Sequence, residues 1–268
     1  MNFNDLGRIV RLWVPELLGL SVFLTLWQLA ARHYSALVLP SPLETLSALK
    51  NLAATDKLTS AVVATTLHTF SGFAIAVLLG SVLGISAGLG PWFGRSIAPT
   101  ITALQGIPPI AWIVLALLWF GSGSATSVFT VAVATLPVVF ISAVEGMQTI
   151  NTQLLEMANL FRAPKQVLLL YLYFPHLLSY LFPSVAAGLG LAWRVGVMSE
   201  LLSAETGIGA EINLARINLE TATVMAWIVV VVVLILTSEY LILRPLRRWL
   251  EPWRKSEKIS KINDKQIA

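Results

Sequence analysis

Gly84-Ile85-Ser86-Ala87-Gly88 has the Gly-x-Ser-x-Gly spacing of a serine nucleophile held on a strand-to-helix turn. A hydrolase built on it needs a histidine base beside Ser86, and His68 or His176 would have to serve. Ser86, however, sits inside a long apolar run, where a helix is expected and a strained elbow is not. The chain has no cysteine, which excludes disulfides, thiol catalysis and cysteine metal sites. His33, His68 and His176 are scattered without metal-ligand spacing. No Gly-x-x-x-x-Gly-Lys-Ser/Thr loop is present to cradle a nucleotide phosphate, so the chain is not expected to be an ATPase or to bind a cofactor itself.

Polar groups and breaks inside apolar segments carry more. Arg194 lies in a long apolar run, and an intramembrane charge is costly and usually functional. Facing an anionic solute, it would attract it; otherwise it reaches the outer interface or pairs with Glu200. Gln105-Gly106-Ile107-Pro108-Pro109 interrupts another run. Two successive prolines remove two backbone donors, and irregular backbone at membrane depth survives only inside protein or beside a water-filled path. Pro137 is expected to act similarly. Gln105, Pro108, Pro109, Pro137, Arg194 and Glu200 are thus the candidates for lining a solute pathway. An ion-coupled secondary transporter would need ionisable groups near mid-span, whereas Glu145 and Glu239 fall near span ends.

The elements that position these residues follow from composition. The 268 residues are 56% hydrophobic and only 12% charged, against about 25% charged in soluble domains. Apolar runs long enough to cross a bilayer are expected at roughly 12–31, 68–90, 98–120, 127–146, 177–198 and 222–243. The expectation is an all-α polytopic membrane protein with about six spans. Residues 1–11 precede the first span, 12–67 hold it and an external interfacial helix, 68–243 form the core, and 244–268 make a basic tail. Leu39-Pro40-Ser41-Pro42 opens the interfacial helix. Gly72, Gly80, Gly84 and Gly88 recur along one face of the second span, and Gly188 and Gly196 along one face of the fifth, as helix-packing seams. Arg8, Arg11, Arg95, Arg162, Lys165 and the tail outnumber the basic residues of the opposite side, so both termini are expected in the cytoplasm. The net charge of +4 then reflects these loops, and nucleic-acid binding is not expected.

Between the fourth and fifth spans, at about 147–176, a cytoplasmic loop reads as a short helix, a turn at Arg162-Ala163-Pro164 and a second helix ending its first stretch at Pro175. Leu154, Leu155, Ala158 and Phe161 are expected on one face. The loop resembles that of permeases from ATP-binding-cassette importers, whose pattern is Glu-Ala-Ala, three residues, Gly, nine residues, Ile, one residue, Leu-Pro. Glu156, Met157 and Ala158 stand at its start, Arg162 at the glycine, and Leu172, Phe174 and Pro175 at its end. LPSPLETLSAL, ALQGIPPIAWIVLALLWFGSG and GLGLAWRVGVMSELLSAETGIG are similar to the nitrate, sulfonate and taurine branch. The resemblance implies a homodimeric pathway in a bacterial inner membrane and a coupling helix at Glu156, Met157, Ala158, Phe161, Arg162, Ala163 and Pro175. It further implies two cytoplasmic ATP-binding subunits carrying ATP and magnesium, and an external binding protein delivering a small oxyanion or sulfonate such as nitrate, bicarbonate, an alkanesulfonate or taurine.

Overall fold

The computed structural model describes residues 3–243 and 245; the basic tail falls outside the described residues except Pro245. The described chain is helical almost throughout, with no strand among its residues. In order, the helices are α1 (Phe3–Ala31), α2 (Pro42–Ala53), α3 (Asp56–Leu89), α4 (Pro91–Gly106), α5 (Pro109–Phe120), α6 (Ser124–Gln148), α7 (Thr152–Leu160), α8 (Lys165–Leu168), α9 (Phe174–Ser203), α10 (Ile208–Ile217) and α11 (Thr221–Thr237). π-helical turns at Leu169–Tyr173 and Ser238–Leu243 lead into α9 and continue α11.

Four stretches are long and apolar enough to cross a bilayer: Asp56–Leu89, Ser124–Gln148, Lys165–Ser203 and Thr221–Leu241. Leu18–Ala31 is a shorter apolar stretch. The expected third span is instead two helices, α4 and α5, bent by 98° to one another. The cause is local. Pro108 and Pro109 lack N–H groups, and each pushes the residue before it out of helical geometry. Ile107 and Pro108 accordingly take ψ of 124° and 141°. Pro109 then opens α5, a position where a missing donor costs nothing. Pro137 behaves otherwise. It is buried inside α6, which runs through it unbroken, so the break expected there does not occur. One missing donor is absorbed by a helix packed on several sides; two in succession are not.

The described residues fall into two compact units, one holding those up to Ala61 with Glu211–Val231, the other Val62–Ala210 with those from Val232 on. In the first, Ser41 and Glu44 form a reciprocal capping box on α2, Trp27 Nε1 donates to the Pro40 carbonyl at 3.0 Å, and Thr221 donates to the Leu37 carbonyl at 2.7 Å. The two prolines of the 39–42 segment therefore set both the start of α2 and a dock for α1.

In the second unit, α3 lies against α6 along its glycines. A Cβ at Gly72 would come within 2.5 Å of the Val128 carbonyl oxygen, and one at Gly84 within 2.5 Å of that of Phe140. Gly80 meets Leu136 and Val139 in the same way, and Gly88 meets Met147. Without hydrophobic drive between helices in lipid, such close backbone approach supplies the attraction through dispersion. The small face of α9 does likewise: Gly188 lies against Thr135 and Phe73, and Gly196 against Thr69 and Val131. Val131, Ala192 and Val195 form the buried centre of this three-helix contact.

Candidate functional site

The loop between α6 and α9 is built as a rigid knob. Asn151 Oδ1 accepts from the Gln153 and Leu154 N–H groups at 2.9 and 3.4 Å, capping α7. At the other end the Ala163 N–H reaches back to the Ala158 carbonyl at 2.9 Å and the Phe161 N–H to that of Met157 at 3.1 Å. Arg162 between them has φ of +52°, the left-handed geometry that this helix ending favours and that glycine adopts without cost. The turn therefore keeps its shape with arginine in place of glycine. Pro164 caps α8, and Pro175 sits in the first turn of α9. At the base of the loop, Thr149 Oγ1 donates to the Glu145 carbonyl at 2.7 Å and stands 3.2 Å from Nε2 of His176, whose ring packs tilted against that of Tyr180. The end of α6 and the start of α9 are thereby tied together.

What this knob presents is apolar. Leu154, Met157, Leu160 and Phe161 are 43%, 52%, 81% and 76% exposed, with Glu156 exposed beside them. The face expected from the sequence differs in part: Leu155 and Ala158 turn inward and are half-buried. Leu160 was not foreseen, although it follows Leu154 and Met157 at three-residue spacing on the same helix. Leu154, Met157 and Leu160 on α7, with Phe161 just beyond its end, thus give the loop an exposed apolar face.

At the opposite end of α9, Glu200 is fully buried. Its carboxylate is 2.8 Å from His68 Nδ1, accepts from the Thr65 hydroxyl at 2.7 Å and accepts from the Gly209 N–H at 3.1 Å. Thr65 in turn accepts from the Ile208 N–H at 2.8 Å. The carboxylate thus caps the positive end of α10 while joining α3 to α9. Gly207, with φ of +111°, and Gly209 wrap it so closely that a Cβ on either would collide with Glu200. Neither the candidate pathway role of Glu200 nor the alternative in which it pairs with Arg194 fits this geometry: it has no exposed surface, and its partners are Thr65, His68 and Gly209. The sequence offered one missed signal, the Thr65–His68 spacing that places both side chains on one helical face.

Arg194 projects from the face of α9 opposite Ala192 and Gly196 and is exposed. Its guanidinium lies back along the helix toward Gly190. It lines a cavity of about 480 Å³ together with Phe182, Pro183, Ser238 and Glu239. Gln105 and Pro108 are also exposed at the break between α4 and α5, and Pro109 is half-buried. Ser86 lies within α3 and donates to the Val82 carbonyl at 2.8 Å, while His68 is bonded to Glu200 and His176 to Thr149, so no serine–base pair exists among the described residues. No group of three metal-binding side chains occurs among them either.

Residues 76–256 match the model of the binding-protein-dependent transport system inner membrane component family. The chain belongs to this family. It is a multi-pass permease of an ATP-driven importer, hydrolysis residing in a separate subunit that works with it and with a substrate-binding protein. This permease is 30% identical over 241 residues to the taurine transport system permease protein of Escherichia coli, covering 87% of each chain. It is 30% identical to the riboflavin transport system permease protein of Chloroflexus aurantiacus, covering 88% of this chain and 89% of that one. To the putative aliphatic sulfonates transport permease protein of Escherichia coli it is 32% identical, over 76% of this chain and 78% of that one. Its fold is like that of a chain of the MetNI methionine ABC transporter in an inward-facing conformation, with a TM-score of 0.56 at 17% identity, over 69% of this permease and 93% of that chain.

Proposed function

We propose that two copies of this permease form one solute pathway, that two ATP-binding subunits grip the α7 knob, and that an external binding protein delivers a small oxyanion or sulfonate. The observation that carries the coupling part is the exposed apolar face of Leu154, Met157, Leu160 and Phe161 on a loop clamped at its base by Thr149 and His176. A rigid lever transmits displacement to a bundle with two stable arrangements, and a loose one dissipates it. ATP and magnesium would bind on the partner, and both termini would lie in the cytoplasm, as the basic loops indicate. The solute class rests on the relatives whose names specify taurine and aliphatic sulfonates, and on Arg194. An arginine on the free face of a spanning helix is too costly against lipid, so that face borders water or protein.

Affinity purification of the tagged permease from native membranes in mild detergent, with mass spectrometry, tests this reading. Near-equal recovery of an ATP-binding subunit is expected. Recovery of the permease alone from intact membranes would remove the coupling mechanism.

A further inference from the structure

A groove runs along the last turns of α1 where they meet the start of α2. Leu24, Thr25, Gln28, Leu29 and Arg32 line it from one face of α1, and Pro42 walls it from α2, around a volume of about 350 Å³. That wall is held in place, because Trp27 on α1 donates to the Pro40 carbonyl at 3.0 Å. Polarity is graded along the groove. Arg32 stands at its end, just past α1, exposed and without an ion pair or side-chain hydrogen bond among the described residues. Gln28, one turn deeper, is half-buried, and its carboxamide has no partner among them either. Thr25 gives its hydroxyl hydrogen to the Ser21 carbonyl at 2.7 Å, which leaves its oxygen as an acceptor. Deeper still lie Leu24 and, one further turn along, Leu20, both exposed. At 1.5 Å of rise per residue, Arg32, Gln28 and Leu24 follow one another at about 6 Å along the axis. No carboxylate lines the groove. Glu44, close by in sequence, is bound to the Ser41 N–H at 2.7 Å and to the Ser41 hydroxyl at 3.0 Å. The surface around the groove is apolar, with Phe23, Leu26, Leu37 and Leu43 all exposed.

Arginines at span ends commonly extend to the interface. What sets this one apart is the unpartnered amide one turn below it and the second wall at Pro42. A soluble anion would answer Arg32 and leave the rest of the groove, which is hydrocarbon, without a counterpart. A cation, then an amide donor, then leucines, in that order, is the complement of a phospholipid: phosphate, ester carbonyl, acyl chain. A head group carrying an ammonium would set it beside Arg32 with no carboxylate to receive it, and like charges facing one another disfavour binding. We propose that this groove binds one anionic phospholipid, with its phosphodiester on Arg32, an ester carbonyl on the Gln28 amide and the first carbons of a chain along Leu24, Leu29 and Pro42. The exposed leucines beyond the groove let that chain run on over α1 without returning to water. The bound lipid then fills the angle between α1 and α2 and braces the joint that Trp27 and Pro40 make. On the orientation proposed above, the groove opens to the outer leaflet. The inference goes beyond the transport reading and does not depend on which solute is carried.

The test uses the full-length permease, with whatever subunits accompany it, in phosphatidylcholine nanodiscs. These are doped with a probe lipid bearing a diazirine in its acyl chain, either phosphatidylglycerol or phosphatidylcholine. Irradiation attaches the probe to neighbouring side chains, and peptide mass spectrometry locates the adducts. Adducts within residues 18–43 should be about fivefold more abundant with the phosphatidylglycerol probe, the preference one basic residue gives at an anionic head group. Arg32→Gln should bring the two probes to within about twofold of each other, Arg32→Lys should keep most of the preference, and Gln28→Leu should lower it in part. Labelling by the phosphatidylcholine probe should stay at the native level in all three, which reports that α1 is still folded and facing lipid. Lys50→Gln removes an exposed positive charge of α2 outside the groove and should leave the preference intact. Equal labelling by the two probes in the native protein, or a preference indifferent to Arg32→Gln, would overturn the proposal. An equal loss in Lys50→Gln would overturn it in favour of diffuse surface charge. A fall with both probes together in Arg32→Gln and Arg32→Lys would assign Arg32 to the fold and remove the lipid site. Loss of the preference in excess inorganic phosphate would assign Arg32 to a soluble anion instead.

Discussion

His68 Nδ1 and Glu200 Oε1 lie 2.8 Å apart although 132 positions separate them in sequence, and this contact joins α3 to α9 at the end that also receives α10. Removing one partner of a buried, hydrogen-bonded pair strands the other. Glu200→Ala leaves the His68 ring, the Thr65 hydroxyl and the Gly209 N–H without their acceptor. The expected loss is about 3–5 kcal/mol, the range for breaking a buried pair. Thermal unfolding of the purified protein in detergent, followed by intrinsic fluorescence, should show a large fall in midpoint for Glu200→Ala and a smaller one for Glu200→Gln, which keeps shape and one acceptor.

Gly209→Ala should be among the most damaging single-methyl changes in the chain. Its Cβ would collide with the Val197 carbonyl oxygen and come within 2.5 Å of Glu200 Cβ. Backbone and a packed carboxylate cannot retreat as the tip of a long side chain can. Gly19→Ala, where nothing lies within 4 Å, is the matched control. Membrane-inserted yield on gel filtration should drop sharply for the first and stay at the native level for the second. Equal yields would show that the α9–α10 turn tolerates rearrangement.

Arg162→Gly is expected to stabilise the coupling loop. The left-handed geometry at φ +52° costs a residue bearing a Cβ roughly 1 kcal/mol, a cost glycine does not bear. Limited proteolysis between Leu160 and Gln166 should slow in Arg162→Gly and quicken in Arg162→Val, whose branched Cβ is worse suited to this region. The reverse order would mean that the arginine side chain, and not the backbone angle, holds the turn.

The docking face and its clamp make separable predictions. Phe161→Asp alters a residue that is 76% exposed, so unfolding temperature should stay near the native value while recovery of the ATPase subunit falls. Glu156→Lys should release the ATPase or uncouple its hydrolysis from uptake. His176→Ala leaves that face intact but unties the loop base, so ATPase binding should persist while uptake per ATP hydrolysed declines. Native transport in all three would sink the lever mechanism.

Most of the architecture was legible because membrane burial writes long, uncharged runs and small-residue seams into the chain. The seam of Gly72, Gly80, Gly84 and Gly88 identified a packing face, and the spacing from Glu156 to Pro175 located the loop. The severity of the break at Pro108-Pro109 was legible only as a kink, since a sequence does not reveal whether two helix halves remain collinear. Pro137 was misread for the opposite reason: its burial on several sides keeps α6 whole, and burial is a tertiary property. Pairing with Glu200, one of the alternatives for Arg194, rested on sequence proximity. The acceptor capacity of its carboxylate is in fact filled by Thr65, His68 and Gly209, brought together only by folding. Likewise, nothing local to Glu239 announces that it shares a cavity with Arg194.

The contact of α3 with α6 is a keyway. Carbonyl oxygens and Cβ atoms of one helix sit in notches left by missing side chains in the other, from Gly72 to Gly88. Such a fit resists slipping by a fraction of a turn, because the next register presents Phe73, Ile85 and Leu89 where a notch is needed. On the coupling mechanism proposed above, a push delivered through Thr149 to the end of α6 would reach α3 as well. On the same mechanism, alternation between states would be taken up elsewhere, and the joint at Ile107 and Pro108, where α4 and α5 meet at 98° without continuous helical hydrogen bonding, is the place this geometry leaves for it.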